Sequence, residues 1–222
     1  MAVFYKKRIF SSMNTIKYIN DFVVWHESEN EALPDVSFVP AMMRRRMTNL
    51  EKIAMGLGCR IAPQTTDYSV VFASQFGEWN QTVQLIKQFY SDKEMSPAGF
   101  SNSVHNAAPG MFSLLTKNTN SYTSIAAGEN TLEMAILQAL LDKGDVLVIF
   151  AAEHCPEMYN PVFNGDKRAY GLAMMIRQNG RRAVKILPGT NSADTLQMDK
   201  FAEFLSGKTQ SISTEHWAMQ YD

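Results

Sequence analysis

The chain has 222 residues, 45% of them hydrophobic and 19% charged, which fits one folded domain and excludes a disordered polypeptide. Its formal net charge of -1 supplies no general field to recruit nucleic acid or an anionic membrane, and its longest apolar run, Val146 to Ala152, is one buried strand long, so no membrane span is expected. Two cysteines, Cys59 and Cys155, make neither a disulfide framework nor a zinc cluster; no metal or other cofactor is expected, and a reducing cytoplasm is the default compartment.

Lys6, Lys7 and Arg8 resemble the basic start of a signal peptide, but Ser11, Ser12, Asn14, Lys17 and Asn20 interrupt any apolar stretch after them. Residues 1–12 are expected to be an extension, with Met13 an alternative start. Ile16 to Trp25 reads as a strand or strand pair, followed by a polar loop from Glu27 to Asp35. Met42 to Leu57 has helical spacing, with Met43, Met47, Leu50 and Ala54 on one face and Thr48 or Pro40 as the candidate start. The fourteen methionines of the chain suit flexible core filling or an adaptable surface. Tyr68 to Ala73 is a short strand buried on both faces, and Ser74 to Gly77 a tight connection into a helix carrying Val83, Leu85, Ile86 and Phe89. Ser91 to Ser103 reads as a loop and Asn106 to Leu115 as a helix. Tyr122 to Ile125 is a strand, Ala126 to Leu141 a helix ending at Gly144, and Val146 to Ala152 the clearest strand. Tyr170 to Ile176 and Arg182 to Leu187 flank Asn179-Gly180, a dipeptide that predicts a type I′ hairpin. One amphipathic helix, with Leu196, Phe201 and Leu205, is expected after Gly189. The order of elements predicts a layered α/β fold, a mixed sheet with helices and a hairpin at its edge.

The segment Tyr122-Thr123-Ser124-Ile125-Ala126-Ala127-Gly128 carries the sharpest chemical signal. A strand that stops at a helix N-terminus offers unpaired N–H groups and the positive end of the helix dipole, a setting that lowers a thiol's pKa and holds an oxyanion. The segment resembles the nucleophile turn of β-ketoacyl synthases, whose pattern is strand, Thr-Ala-Cys-x-Ser-Gly, helix. Asp145 to Glu153 looks like that family's following strand ending in Gly-Gly-Ala-Glu, Phe100 to Leu114 like the stretch before the nucleophile strand, and Tyr68 to Gly77 like the strand and turn before that. The resemblance spans residues 13–190. It implies the N-terminal half of a thiolase-like (ketosynthase) fold, followed by a C-terminal helix and tail at 191–222.

The departures matter as much. Ile125 stands where the family has its cysteine, and the two catalytic histidines of the second half have no counterpart: His154 and His216 lie outside any His-Gly-Thr-Gly-Thr or Asn-His pattern. Short chains of this kind are similar to the truncated chain-length-factor subunits of aryl polyene type II ketosynthase pairs, and the run Phe38 to Arg46 strengthens the comparison. The resemblance therefore implies a catalytically dead subunit in fatty-acid or polyene biosynthesis, heterodimerised with a full-length ketosynthase whose acyl tunnel it shapes. Phe76, Trp79, Phe100, Met111 and Phe112 are the expected tunnel lining, Tyr122, Thr123, Ser124 and Ile125 the expected partner interface, and Arg44, Arg45 and Arg46 the expected docking patch for an acidic acyl carrier protein. A lone half is also expected to expose the apolar face its twin would cover. Two alternatives stay open: a stand-alone thioesterase or hydrolase using Ser124 or Cys155 with His154 or His105, and a homodimeric scaffold. Glu153, His154, Cys155 and Glu157 suggest a metal site only weakly, because adjacent side chains rarely converge on one ion.

Overall fold

The structure is a computed structural model that describes residues 16–29, 32–92, 94–189 and 195–222. The expected extension at 1–12 and Met13 lie outside the described residues.

Two sheets form among the described residues. In the first, the order is β2 (Phe22–His26), β6 (Tyr170–Ile176), β5 (Val146–Ala152), β3 (Ser69–Ala73), β4 (Tyr122–Ile125). Strands β4, β3 and β5 run parallel, while β6 and β2 are antiparallel to their neighbours. The second sheet is antiparallel throughout, in the order β1 (Ile16–Tyr18), β7 (Ala183–Pro188), β9 (Trp217–Tyr221), β8 (Ser211–Ser213). The expected strand pair at Ile16–Trp25 is thus two strands in different sheets.

The hairpin predicted at Asn179-Gly180 does not form. A type I′ turn needs positive φ at both central residues, and neither residue has it. Strand β6 is already flanked by β2 and β5, so it has no free edge, and the chain passes on to the second sheet. Strand β6 is therefore interior rather than an edge.

The helices are α1 (Ala41–Arg44), α2 (Asn49–Ile61), α3 (Trp79–Asp92), α4 (Pro97–Ser101), α5 (Ala107–Thr116), α6 (Thr131–Leu141) and α7 (Met198–Leu205). The single helix expected from Met42 to Leu57 is split. Thr48 is extended, with φ -69° and ψ 172°, and builds a capping box: its hydroxyl accepts from Glu51 N at 3.0 Å and its own N–H donates to Glu51 Oε2 at 2.8 Å. These two bonds satisfy donors that a continuous helix would have used internally.

Alternation along β5 and β6 divides the core. Leu147, Ile149, Ala151, Ala173 and Met175 face α2 and α5, meeting Leu50, Ile53, Ala54 and Phe112. Val146, Val148, Phe150, Leu172, Met174 and Ile176 face α6, beyond which lie Val184, Ile186, Trp217 and Met219 of the second sheet and Phe201, Phe204 and Leu205 of α7. Of α6, only Gln138 and Leu141 are exposed, so this helix is buried nearly all round, as a central layer must be. The indole N–H of Trp217 donates to Glu133 O at 3.1 Å. Here the sequence expectation is corrected: the far face of α6 is covered by the chain's own C-terminal elements. The tail contributes strands β8 and β9 besides the expected helix. The alternation of buried Trp217 and Met219 with exposed Gln220 was legible as a strand signal.

Candidate functional site

The strand β4 closes one edge of the first sheet, pairing in register with β3 from Val70–Tyr122 to Ala73–Ile125. Ser121 O and Ile125 O accept from Val70 N of β3 and from Ser74 N just after it. By strand alternation Thr123 faces β3 too, which turns the backbone groups of Tyr122 and Ser124 to the open edge.

The strand does not run straight into a helix. Residues 126–130 form a turn first, with Gly128 at φ +59° and open space where a Cβ would sit. Thr131 closes this turn: its hydroxyl accepts from Ala127 N at 2.9 Å and donates to Gly128 O at 2.6 Å. Asn130 N and Thr131 N donate to Ala127 O and Gly128 O. Of the N–H groups that open α6, that of Thr131 is therefore used within the turn, and Ile125 lies a turn away from the helix start. The Ile125 side chain packs against the core cluster around α6. Ser124 Oγ is buried and has no hydrogen-bond partner among the described residues.

Beside this turn, at the C-terminal ends of β3 and β5, opens a cleft of about 610 Å³. Gly128, Glu129, Thr131 and Leu132 form one wall, and Phe150, Ala152, Glu153 and Tyr170 another. At its lip Phe76 and Trp79 stack with ring centres 4.4 Å apart and planes 4° from parallel. Phe163 meets both edge-on, at 5.3 and 5.5 Å, and Tyr159 lies 6.2 Å from Trp79. The connection Ser74–Glu78 presents the lip: Ser74 Oγ accepts from Gly77 N, whose positive φ of 55° suits glycine, and His105 holds Ser74 O at 2.8 Å.

Behind the lip lie three buried carboxyls. Burial, reinforced by Glu51 and Glu153, pushes Glu78 up to about 9, so it is neutral at pH 7. Glu78 Oε1 accepts from the Thr48 hydroxyl at 3.0 Å. Burial raises Glu51 and Glu153 as well; Glu153 Oε1 accepts from Asn80 N at 2.9 Å, which ties the first turn of α3 to the end of β5.

Residues 22–220 match the family described as β-ketoacyl synthase, N-terminal domain. The chain belongs to that family. No curated protein matches the sequence. Among solved structures, the β-ketoacyl synthase-type fold seen here is similar to a chain of the ketosynthase ApeO in complex with its chain length factor ApeC from Xenorhabdus doucetiae. The TM-score is 0.71 at 18% identity, over 94% of this chain and 100% of that one. It is also similar to a type II polyketide ketosynthase complex with its acyl-carrier protein, AntDE:AntF, with a TM-score of 0.61 and 10% identity over 74% of this chain and 63% of that one. A third likeness is to the ishigamide ketosynthase/chain length factor, with a TM-score of 0.53 and 14% identity over 66% and 51%. The chain thus spans about half the length of that last chain. At these identities the likeness is one of fold, which is the thiolase-like ketosynthase fold expected from the sequence.

Within this β-ketoacyl synthase domain the expected site residues separate. Phe76 and Trp79 meet in the cleft. Phe100 is 57% exposed on α4, outside it. Phe112 is fully buried and packs on Ile149 beside Gly58, and Met111 lies against the same core; neither lines the cleft. They sit beneath the sheet because α5 turns that face to β3. Arg45 and Arg46 are exposed, while Arg44 Nη1 donates to Ser37 O at 2.9 Å. The sequence pattern does not single out Phe163, Tyr159 or Tyr170; aromatics spaced from the loop after β5 to the start of β6 are the available signal.

Among the described residues no hydrogen bond joins Ser124 or Cys155 to His154 or His105. His154 Nδ1 lies 2.9 Å from Glu27 Oε2, His105 holds Ser74 O, and the Cys155 thiol donates to Pro156 O. Burial pushes the Cys59 thiol up to about 12, far from a reactive thiolate. Among the described residues no group of three or more His, Cys, Asp or Glu is placed to hold a metal, and no helix is long and apolar enough to cross a membrane.

Proposed function

We propose that this chain is a non-catalytic, chain-length-factor-like subunit, acting in the cytoplasm, that pairs with a complete cysteine-bearing ketosynthase. The partner condenses acyl and malonyl carrier-protein thioesters, and this chain shapes the depth of the acyl tunnel with the cleft at Phe76 and Trp79. The observation that carries the reading is Ile125 at the end of β4. The resemblance aligns this position with the family's cysteine, and here a partly buried isoleucine packed against the core occupies it. The fold match along the whole of a chain from a ketosynthase–chain length factor complex supports the pairing.

The physical motive for the pairing is the edge of β4, which has no second strand beside it among the described residues. Because the chain covers α6 itself, the partner is needed for that edge rather than for the core. Tyr122 and Ser124 present outward backbone groups that a second strand satisfies, extending the five-stranded sheet across the pair. Arg45 and Arg46, with Arg44 braced on Ser37, are the proposed contact for an acidic carrier protein.

Co-expression with candidate ketosynthases, followed by affinity capture and gel filtration, tests the assignment. A stoichiometric pair that condenses acyl and malonyl thioesters, with this chain unmodified by mass, is the expected result. A covalent acyl adduct on this chain would refute the non-catalytic role.

A further inference from the structure

Resting on the reading of the cleft as an acyl site, we propose that Phe163 is the movable side of its gate, so that the tip of the β5–β6 loop sets how deep a chain-shaped apolar ligand enters. The base of this loop is pinned. Cys155 N donates to Lys167 O at 2.9 Å, Ala169 N donates to Glu27 Oε2 at 3.0 Å, and Glu27 N donates to Ala169 O, also at 3.0 Å. The tip is built differently. Val162 N and Phe163 N both donate to Tyr159 O, and Lys167 Nζ donates to Asn160 O, so these bonds close within the loop. Residues 157–162, 164 and 165 are exposed, and only Phe163 of that stretch is partly buried.

Apart from a contact of Asp166 Oδ2 with His26 Nε2 at 3.7 Å, the tip meets the body through rings. Phe163 stands edge-on to both members of the Phe76–Trp79 stack, and Tyr159 lies over Trp79. Gly165 lets the backbone fold over the Phe163 ring, since a Cβ there would fall 2.5 Å from Phe163 Cζ. Edge-on ring contacts are individually weak, and a segment held by them with an exposed, self-bonded tip belongs to the low-stability end of a structure, where lids are found. The opposite side of the lip is rigid by comparison. Phe76 and Trp79 flank Glu78, which is bonded to Thr48, and Asn80 N is bonded to Glu153. One wall is fixed and the other hinged. The cleft of about 610 Å³ falls in the ordinary range for small-ligand sites, roughly 300–1,000 Å³, so removal of one ring at its lip changes the accessible depth appreciably.

Three tryptophans are present, and Trp25 and Trp217 are 7% and 0% exposed, so acrylamide quenching of the purified chain reports mainly on Trp79. Phe163→Ala should raise the quenching constant at least twofold, while Phe163→Leu, which keeps bulk, should remain near wild type with the same far-UV circular dichroism. Displacement of a fluorescent fatty acid by dodecanoic and hexadecanoic acid then reads depth. Phe163→Ala should shift the preference toward hexadecanoic acid at least fivefold. Unchanged quenching in Phe163→Ala overturns the gate, as does raised quenching with unchanged chain preference. If quenching rises but neither fatty acid binds wild type or variant, the acyl reading itself is overturned, and the specificity role of Phe163 with it.

Discussion

Replacing Trp217 with alanine asks whether this half-domain really supplies its own cover for α6. The indole is fully buried, its N–H donates to Glu133 O at 3.1 Å, and its ring meets Phe201 edge-on with centres 6.2 Å apart. Removing a buried Trp or Phe side chain costs about 3–5 kcal/mol. The lost hydrogen bond adds about 1 kcal/mol, because a carbonyl inside α6 retains its helical role. A loss of about 4–6 kcal/mol is a large part of the roughly 5–15 kcal/mol that stabilises a domain. With a urea slope near the top of the usual range, about 3 kcal/mol per molar, the midpoint should fall by roughly 1–2 M. The assay is urea unfolding of the chain alone, followed by far-UV circular dichroism. Gln220→Ala, on the exposed side of the same strand, serves as control and should change stability by under about 0.5 kcal/mol. A Trp217→Ala loss below about 1 kcal/mol would refute the reasoning: the second sheet would then be an ornament on α6, and the cover would have to come from a partner.

The open edge of β4 is tested by Tyr122→Pro, which removes an outward-facing donor at the first residue of the strand; capture of the ketosynthase should drop several-fold with little change in the chain's own melting temperature, and undiminished capture places the interface elsewhere. Thr123→Pro, facing β3, should instead destabilise the chain itself. Glu78 gives a pH signature. Its folded value, about 9, lies above the ordinary 4.5, so the native state holds a proton that the unfolded state releases, and stability declines as pH rises from about 4.5 through 9. Glu78→Gln should flatten this decline measurably between pH 6 and 9 without abolishing it, since Glu51 and Glu153 are shifted the same way; an unaltered profile would show that Glu78 is ionised when folded. Ile125→Cys should not restore acylation, because the turn at 126–130 separates that position from the start of α6 and no described histidine is hydrogen-bonded there. Intact-mass measurement after incubation with an acyl carrier-protein thioester checks this, and an adduct on the introduced thiol would contradict it.

The sequence determined most of the strands and the residue types that stand at the end of β4. Strands β3, β4 and β5 were legible because β-branched runs bounded by turns leave few alternatives, and the absence of a nucleophilic atom at Ile125 is fixed by residue identity alone. Tertiary structure decided what pairs with what. Asn179-Gly180 reads locally as a hairpin, yet β6 had both edges occupied and β7 found its partners in β1 and β9, far away in the chain. The same kind of long-range competition brought Trp217 onto α6 and closed a face that a half-domain was expected to leave open. It also separated Phe76 and Trp79, gathered with Phe163 at the cleft, from Phe112, buried beneath the sheet. Periodicity records which side of an element is apolar, but which apolar face meets which is settled only when the whole chain competes for burial and for backbone hydrogen bonds.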